Sequence, residues 1–170
     1  MFAQLDTKSV YSFMDSVVDL NTYVKRAKEL GYQSIGLMDR DNLYAAYHFA
    51  QLAIRNGLRP LIGTEANLFY EGRKIPFRLL AKNNQGYKNL MKLATELSSG
   101  QREFTYFSDY LNDIALILPS EDWEPGMSLG SEVFIGVRPE DAGKEFDYPV
   151  VPLHTVRYFE NADRSTIQTL

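Results

Sequence analysis

Acidic side chains directly follow three short apolar runs in this sequence. Asp6 follows FAQL, Asp39 follows SIGLM and Glu65 follows LIGT. If these runs are parallel strands, their carboxyl ends meet at one rim, and the three carboxylates could share a single mouth. Grouped carboxylates are the ligands that Mg²⁺ and Mn²⁺ take in two-metal hydrolases. A carboxylate metal site is therefore one hypothesis for this rim.

Two simpler explanations compete with a metal site. Every strand has to end in a polar loop, and this alone would produce the pattern. Lys8 and Arg40 also stand close to these acids in the sequence. Charge pairing between these acids and bases therefore explains the rim as well as metal binding does.

The scarcity of cysteine and histidine excludes several other kinds of site. The 170 residues contain no cysteine and only two histidines, His48 and His154. This excludes a disulfide framework, a thiolate zinc site, a cysteine nucleophile and an imidazole-rich metal centre. His48 falls in a predicted helix, where we interpret it as a packing or surface residue. His154 follows a predicted strand, and a structural role is favoured over catalysis. The sequence also has no Walker loop, nucleophile elbow or dinucleotide fingerprint.

The charge balance argues against an autonomous nucleic-acid binder. Lys and Arg number 18 and Asp and Glu number 22, which gives a net charge of −4. A nucleic-acid binder normally carries a basic face. The longest apolar runs, such as residues 114–118, fall far short of the roughly 20 residues that a membrane span needs. No export signal stands at the N-terminus, and we interpret the chain as cytoplasmic.

Hydrophobic periodicity predicts strands that alternate with helices. Helices are predicted over residues 20–30 and 43–56 and along a face from Tyr87 to Leu97. Residues 101–113 are interpreted as a loop or a short irregular helix, and Pro139 could begin a short helix. Residues 163–170 look like a helix start that is still running when the sequence ends, so we expect a domain excised from a longer protein. The predicted strands are residues 2–5, 34–38, 61–64, 67–70, 75–80, 114–118, 133–137 and 150–153, with 67–70 and 75–80 forming a hairpin. Such strand–helix units indicate parallel pairing, in a barrel-like or doubly wound α/β domain.

Five segments of the sequence resemble one known family. Asp6 to Asp15 occupies the frame H-x-H-S-x-Y-S-x-x-D, VKRAKELGYQSIGLMDRDNLYAAYHF corresponds to the helix and T-D-H-G-N-L element, and PLIGTE corresponds to P-I-I-G-x-E. LLAKNNQGYKNLMKLAT and PVVPLHTVRYF are similar to two later family segments. Together they resemble the PHP (polymerase and histidinol phosphatase) domain family, in the form found at the N-terminus of DnaE-type bacterial DNA polymerase III alpha subunits.

The resemblance implies a fold and a setting. The family fold is a distorted (β/α)7 barrel, so we expect residues 1–170 to form a single PHP domain. The parent chain would be a replicative DNA-directed DNA polymerase, a nucleotidyltransferase whose Mg²⁺-dependent core lies beyond residue 170. Implied partners are the remainder of the polymerase chain and other replisome subunits, with DNA reached only through the full-length protein and no membrane contact.

The family's metal ligands are largely replaced in this sequence. The H-x-H pair is Asp6 and Lys8, the T-D-H histidine is Arg40, and a later histidine position falls near Pro76. The late D-x-H pair is Thr155 and Arg157, so that three bases stand where ligands would be. Divalent cations and these bases repel each other strongly when desolvated. The resemblance therefore implies a pocket with no metal, no cofactor and no catalytic residue. Arg40 is the expected central cation, because a guanidinium group pairs with carboxylates in a bidentate way and stays charged.

The candidate site is thus a set of vestigial metal-pocket positions: Asp6, Lys8, Asp15, Asp39, Arg40, Glu65, Thr155 and Arg157. The alternative function is a metal-dependent phosphoesterase or 3′–5′ exonuclease that uses the reduced carboxylate set Asp6, Asp15, Asp39 and Glu65. A sugar-phosphate barrel enzyme is a third option, supported by fold analogy alone.

Overall fold

A computed structural model describes residues 3–130, 132–141 and 143–159. The strands are β1 Asp6–Thr7, β2 Ser34–Arg40, β3 Arg59–Tyr70, β4 Arg73–Ala81, β5 Ile114–Pro119, β6 Val133–Val137, β7 Val150–Pro152 and β8 Thr155–Val156. The α-helices among the described residues are α1 Leu20–Glu29, α2 Ala46–Arg55 and α3 Asn84–Ser98, and 3-10 turns cover Phe104–Tyr110, Ser120–Asp122 and Pro139–Asp141. The helix predicted over 163–170 lies outside the described residues, as does Phe2 of the first predicted strand.

The strands form a curled six-stranded sheet and a two-stranded pair. The sheet order is β2-β3-β4-β5-β6-β7, and β1 pairs with β8. A bridge between Gln4 and Ile35 joins the segment leading into β1 to strand β2. At the other end of the sheet, β7 continues through Leu153 and His154 into β8. The β1–β8 pair thus lies between the two ends of the sheet, and the predicted α/β distorted barrel is confirmed.

Strand direction differs from the expected run of parallel units. Strand β4 is antiparallel to both β3 and β5, whereas the other pairs are parallel. The hairpin is as predicted, and its first arm and the preceding strand are one continuous strand, β3. Glu71 and Gly72 form the turn with φ values of 49° and 79°. Two positive φ values match the twist that a two-residue hairpin needs.

Local signals fix the helices that cover the sheet. The Asp19 carboxylate accepts a hydrogen bond from Thr22 N at 2.9 Å and caps α1. The Asn83 side chain caps α3 in the same way, by accepting from the backbone of Gln85 and Gly86. Among the described residues, no helix is long and apolar enough to cross a membrane.

The helices and the curled sheet enclose three apolar clusters. One packs α3 and the Phe104–Tyr110 turn on strands β3 to β6, and a second packs α1 and α2 on β2. The third lies inside the curl and joins Met38, Ile117 and Leu153, with partly buried Leu80 packed against them. Residues two apart on a strand share a face. Positions 40 on β2 and 78 on β4 therefore point into the same interior as Met38 and Leu80, one layer further along.

Candidate functional site

The Lys8 ammonium group lies at the centre of this interior layer. Its Nζ is 2.7 Å from Asp6 Oδ1 and 3.0 Å from Glu65 Oε2. It also donates a hydrogen bond to the Met38 carbonyl oxygen at 2.6 Å. An ammonium group has three protons, so these three acceptors satisfy it completely. The Lys8 side chain is 0% exposed.

Arg78 is the second buried cation and joins the same two acids. Its Nε is 3.0 Å from Asp6 Oδ2, and its Nη2 is 3.3 Å from Glu65 Oε2. Its Nη1 donates to the Pro76 carbonyl oxygen at 2.6 Å. We call Asp6, Lys8, Glu65 and Arg78 the inner network. It holds two positive and two negative charges, so burial leaves no net charge uncompensated.

The two acids of the inner network are strongly held in their charged form. Burial would raise the pKa of Asp6, but the charges of Lys8 and then Arg78, with hydrogen bonds from Lys8 and Thr155, hold it below its usual value. The pKa of Glu65 is also lowered, because the same two cations outweigh its burial. Both carboxylates are therefore ionised at neutral pH. Neither has the raised pKa that a general acid needs.

A second group of charges lies at the open end of the interior, which we call the mouth. Arg40 Nη2 is 2.8 Å from Asp15 Oδ2, and Arg40 Nε is 3.2 Å from Glu65 Oε1. Arg157 Nε is 2.9 Å from the other Asp15 oxygen, Oδ1. We call Arg40, Asp15 and Arg157 the outer network. The Arg40 side chain is 41% exposed, in contrast to fully buried Lys8.

The prediction that Arg40 is the central cation is therefore wrong, although Lys8 and Arg40 both lie within salt-bridge distance of acids, as expected. Lys8 lies two residues beyond Asp6 and shares its interior face, whereas Arg40 is the last residue of β2 and lies at the rim. Thr155 lies beside the inner network, and its hydroxyl donates a hydrogen bond to Asp6 Oδ2 at 2.6 Å.

Asp39, another predicted site residue, lies outside both networks. It lies between Met38 and Arg40 on β2, so strand alternation turns it to the opposite face. Its Oδ1 accepts hydrogen bonds from Ser9 N and from the Ser12 hydroxyl, each at 2.7 Å. Asp39 thus holds the 9–12 backbone against β2 and supports the mouth from outside the interior.

Arg78 was missed by the sequence analysis, although a signal was available. The hairpin turn pairs Tyr70 with Arg73, and the same register places Arg78 directly opposite Glu65. Counting residues along both strands outward from the Glu71–Gly72 turn would therefore have placed Arg78 beside Glu65. His48 and His154 are both exposed, and neither side chain belongs to the inner or the outer network.

The side chains present do not fit the metal cluster that the family resemblance implies. Lys8 Nζ lies between the Asp6 and Glu65 carboxylates, where a bridging cation would have to be, and Arg78 occupies their other side. Within residues 3–130, 132–141 and 143–159, no group of three or more His, Cys, Asp or Glu is placed to hold a metal ion. The arrangement is suited to holding the strands together by ion pairs.

Comparison with known proteins places the chain in a family. The PHP domain family matches residues 4–124, and the chain belongs to that family. The alpha subunit of DNA polymerase III from Streptococcus pyogenes serotype M1 is 45% identical over 172 residues, which are 100% of this chain and 17% of that protein. The same subunit of Bacillus subtilis strain 168 is 33% identical over 126 residues, covering 71% of this chain and 11% of that protein. The chain therefore matches the N-terminal region of these subunits and spans less than a fifth of their length.

A solved structure shows a more distant likeness. The crystal structure is of a protein from Bifidobacterium adolescentis ATCC 15703, suggested to be a metal-dependent phosphoesterase. It is 18% identical to this chain, with a TM-score of 0.47, and the match covers 55% of this chain and 32% of that one. A likeness at this level supports no argument about activity.

Proposed function

We propose that residues 1–170 form a catalytically inactive PHP domain that serves as a structural scaffold in a DNA polymerase III alpha subunit. The match to the Streptococcus pyogenes subunit over 100% of this chain supports the setting. In this proposal the longer protein synthesises DNA in the cytoplasm, with Mg²⁺ in its polymerase core. The domain itself uses no cofactor. The remainder of the polymerase chain is its direct partner, and other replisome subunits and DNA are reached through the full-length protein.

The position of Lys8 is the observation that carries the inactive assignment. Its Nζ is within 3.0 Å of both Asp6 and Glu65. A divalent cation at that point would have to displace a fully buried ammonium group and then bear the repulsion of Arg78 and Arg40. Two unit charges 4 Å apart interact with about 4 kcal/mol even at an effective dielectric of 20. The inner network thus supplies from side chains the positive charge that metals supply elsewhere.

A direct test uses the full-length protein purified without chelator. Elemental analysis is expected to find no stoichiometric Zn or Mn in the PHP domain. Hydrolysis of phosphomonoester and phosphodiester substrates with added Mg²⁺, Mn²⁺ or Zn²⁺ is expected at background, while the same preparation extends a primed template. Primer extension shows that the protein is native.

The alternative is a metal-dependent phosphoesterase or 3′–5′ exonuclease on the carboxylates, and one result would establish it. That result is metal-dependent hydrolysis that is abolished by Glu65→Gln while primer extension is retained. A domain that hydrolyses nothing, in a chain that extends primers, supports the scaffold assignment. A full-length chain with no primer extension would contradict the polymerase setting.

A further inference from the structure

A cavity of about 620 Å³ lies on the outer face of the sheet. Leu116 of β5 lines it, whereas the neighbouring Ile117 packs inside the curl with Met38, so the two positions lie on opposite faces of the strand. The Phe104–Tyr110 turn and residues 128–130 form its walls. None of its described lining residues belongs to the inner or the outer network. Cavities of about 300–1,000 Å³ are the usual size for small-molecule sites, so this one is large enough for a small ligand.

The floor of the cavity is apolar and already packed. Its aliphatic side chains are part of the largest apolar cluster or pack against it, and they are Leu111, Ile114, Leu116, Leu129 and Val133. The Tyr70 hydroxyl accepts a hydrogen bond from Ser128 N at 3.1 Å, which joins the wall that carries Leu129 to strand β3. A ligand would therefore meet a preformed apolar surface, and little entropy would be lost in ordering it.

One end of the cavity combines aromatic rings with carboxylates. The Tyr70 and Phe104 rings have centroids 5.4 Å apart and planes at 75° to each other. Glu71 follows Tyr70 and Glu103 precedes Phe104, and all four residues line the cavity. A β-bridge between Phe69 and Glu103 holds the two segments side by side. Aromatic faces and carboxylates both attract organic cations.

Every charged residue that lines the cavity is acidic. The four are Glu71, Glu103, Asp113 and Glu132. Glu132 forms an ion pair with Lys82, and Asp113 Oδ1 accepts a hydrogen bond from Asn83 Nδ2 at 2.8 Å. The other two carboxylates form no ion pair with a described residue.

The nearest arginines in sequence are bound to other acids. Arg73 pairs with Glu124, and Arg102 Nη1 is 2.7 Å from Asp41 Oδ2. The aromatic end of the cavity therefore keeps two uncompensated negative charges beside an apolar floor. This charge and this floor are complementary to a ligand that is cationic at one end and apolar along its body.

We infer that the cavity binds a small organic cation, with its ammonium or guanidinium group at Glu71 and Glu103 and its apolar body on the floor. The Tyr70 and Phe104 rings add a cation–π attraction at the charged end. An inorganic cation would leave the apolar floor uncovered, and an anion would be repelled by the acids. A single lysine or arginine side chain of a protein partner would fill only part of the volume. The assigned occupant is therefore a free small molecule, at a site separate from the charged interior.

Three probes of similar size and different charge test the inference on the full-length protein. They are phenylbutylammonium, the neutral phenylbutanol and the anionic phenylbutyrate, and saturation-transfer difference NMR gives the dissociation constant of each. We expect the ammonium probe to bind on the order of ten-fold more tightly than the alcohol, because a charged group at the carboxylates strengthens its hydrogen bonds. The carboxylate probe should bind more weakly than the alcohol.

Variants in the full-length protein place the binding at this cavity. The double variant Glu71→Gln, Glu103→Gln should bind the ammonium probe about as weakly as the alcohol, with the affinity for the alcohol unchanged. Glu29→Gln is the matched control, since Glu29 is an exposed glutamate at the end of α1 that does not line the cavity. Thr105→Trp adds a ring to the exposed wall and should weaken both probes, because it fills part of the volume. Melting temperatures show whether each variant keeps its fold.

Four results would overturn the inference. Equal affinities of the wild type for the ammonium probe and the alcohol would remove the charge selectivity. A preference for the ammonium probe that survives in the double variant would place its site elsewhere. Binding to the 170-residue chain but not to the full-length protein would mean that another part of the protein covers the cavity. The absence of binding by any probe to either protein would mean that the cavity holds no small ligand of this class.

Discussion

The inner and outer networks both pair basic side chains with carboxylates, but in different surroundings. The inner network places Lys8 and Arg78 against Asp6 and Glu65 in the closed interior, whereas Arg40 in the outer network is 41% exposed. Distances within the two networks are similar, since Lys8–Asp6 is 2.7 Å and Arg40–Asp15 is 2.8 Å. Solvent, and not geometry, therefore separates them. Equal contact distances should give unequal contributions to the free energy of unfolding.

Removal of the central cation should have the largest effect. Lys8→Met leaves the Asp6 and Glu65 carboxylates buried with only part of their compensation, which should lower the free energy of unfolding by about 3–5 kcal/mol. Urea unfolding of the 170-residue chain at pH 7 measures this. Lys82→Met is the matched control, because its Lys82–Glu132 ion pair is exposed. The control should cost about 0–1 kcal/mol. Equal losses in the two variants would remove the distinction between buried and exposed pairs.

Acid should weaken the inner network. The pKa values of Asp6 and Glu65 are lowered in the folded chain, so their stabilisation is present above the unfolded-state values and is lost as the pH falls. The loss should begin near pH 5. At pH 7, Glu65→Gln should be about 2–3 kcal/mol less stable than the wild type, because hydrogen bonds to a charged group are removed.

The pH dependence of that difference is the informative measurement. Below the folded-state pKa, the wild-type Glu65 is protonated and resembles glutamine, so the two proteins should converge in unfolding free energy. Urea titrations between pH 7 and pH 3 would show this. A constant gap over the whole range would mean that the charge of Glu65 contributes nothing to stability.

Removal of Arg40 should have the smallest effect of the three. Water screens its pairs with Asp15 and Glu65, so Arg40→Met should cost about 1 kcal/mol or less. The cost should shrink further in 1 M salt, where the Debye length is about 3 Å. The loss from Lys8→Met should change little with salt. Melting temperatures of both variants at low and high salt would check this, and an Arg40 effect as large as that of Lys8 would contradict it.

The strand-end argument located much of the site from sequence, for a physical reason. Asp6, Arg40 and Glu65 lie on neighbouring parallel segments and are joined through ion pairs, although only Arg40 ends its strand, since Asp6 begins β1 and Glu65 lies inside β3. Arg78 was not predicted, because it lies inside the antiparallel strand β4 and follows no strand end in the sequence. Asp39 was grouped with the interior acids wrongly, because its position at a strand end does not determine which face of the sheet its side chain takes. The register of the β3–β4 hairpin locates Arg78, and the alternation of side chains along β2 locates Asp39.

The exposure of individual charges depends on contacts that the sequence pattern does not contain. Lys8 and Arg40 have similar acidic neighbours in sequence, so the pattern gave no reason to bury one more than the other. Gly36 contributes to the difference, because a Cβ there would lie 2.2 Å from the Leu5 carbonyl oxygen. Because glycine has no Cβ, the segment that carries Asp6 and Lys8 can lie directly on β2. This approach places Lys8 deep in the interior and leaves Arg40 at the rim.

The pairing of β1 with β8 has a consequence for how the chain folds during synthesis. Asp6 and Thr155, joined by a hydrogen bond, are 149 residues apart in sequence. A ribosome adds about 5–20 residues each second, so β1 leaves the exit tunnel many seconds before its partner strand is made. Contacts of such long range form late and slow folding. Strand β1 is therefore translated before the other strands of the domain but is among the last to be enclosed. The Asp6 side chain stays exposed to water for most of the domain's synthesis.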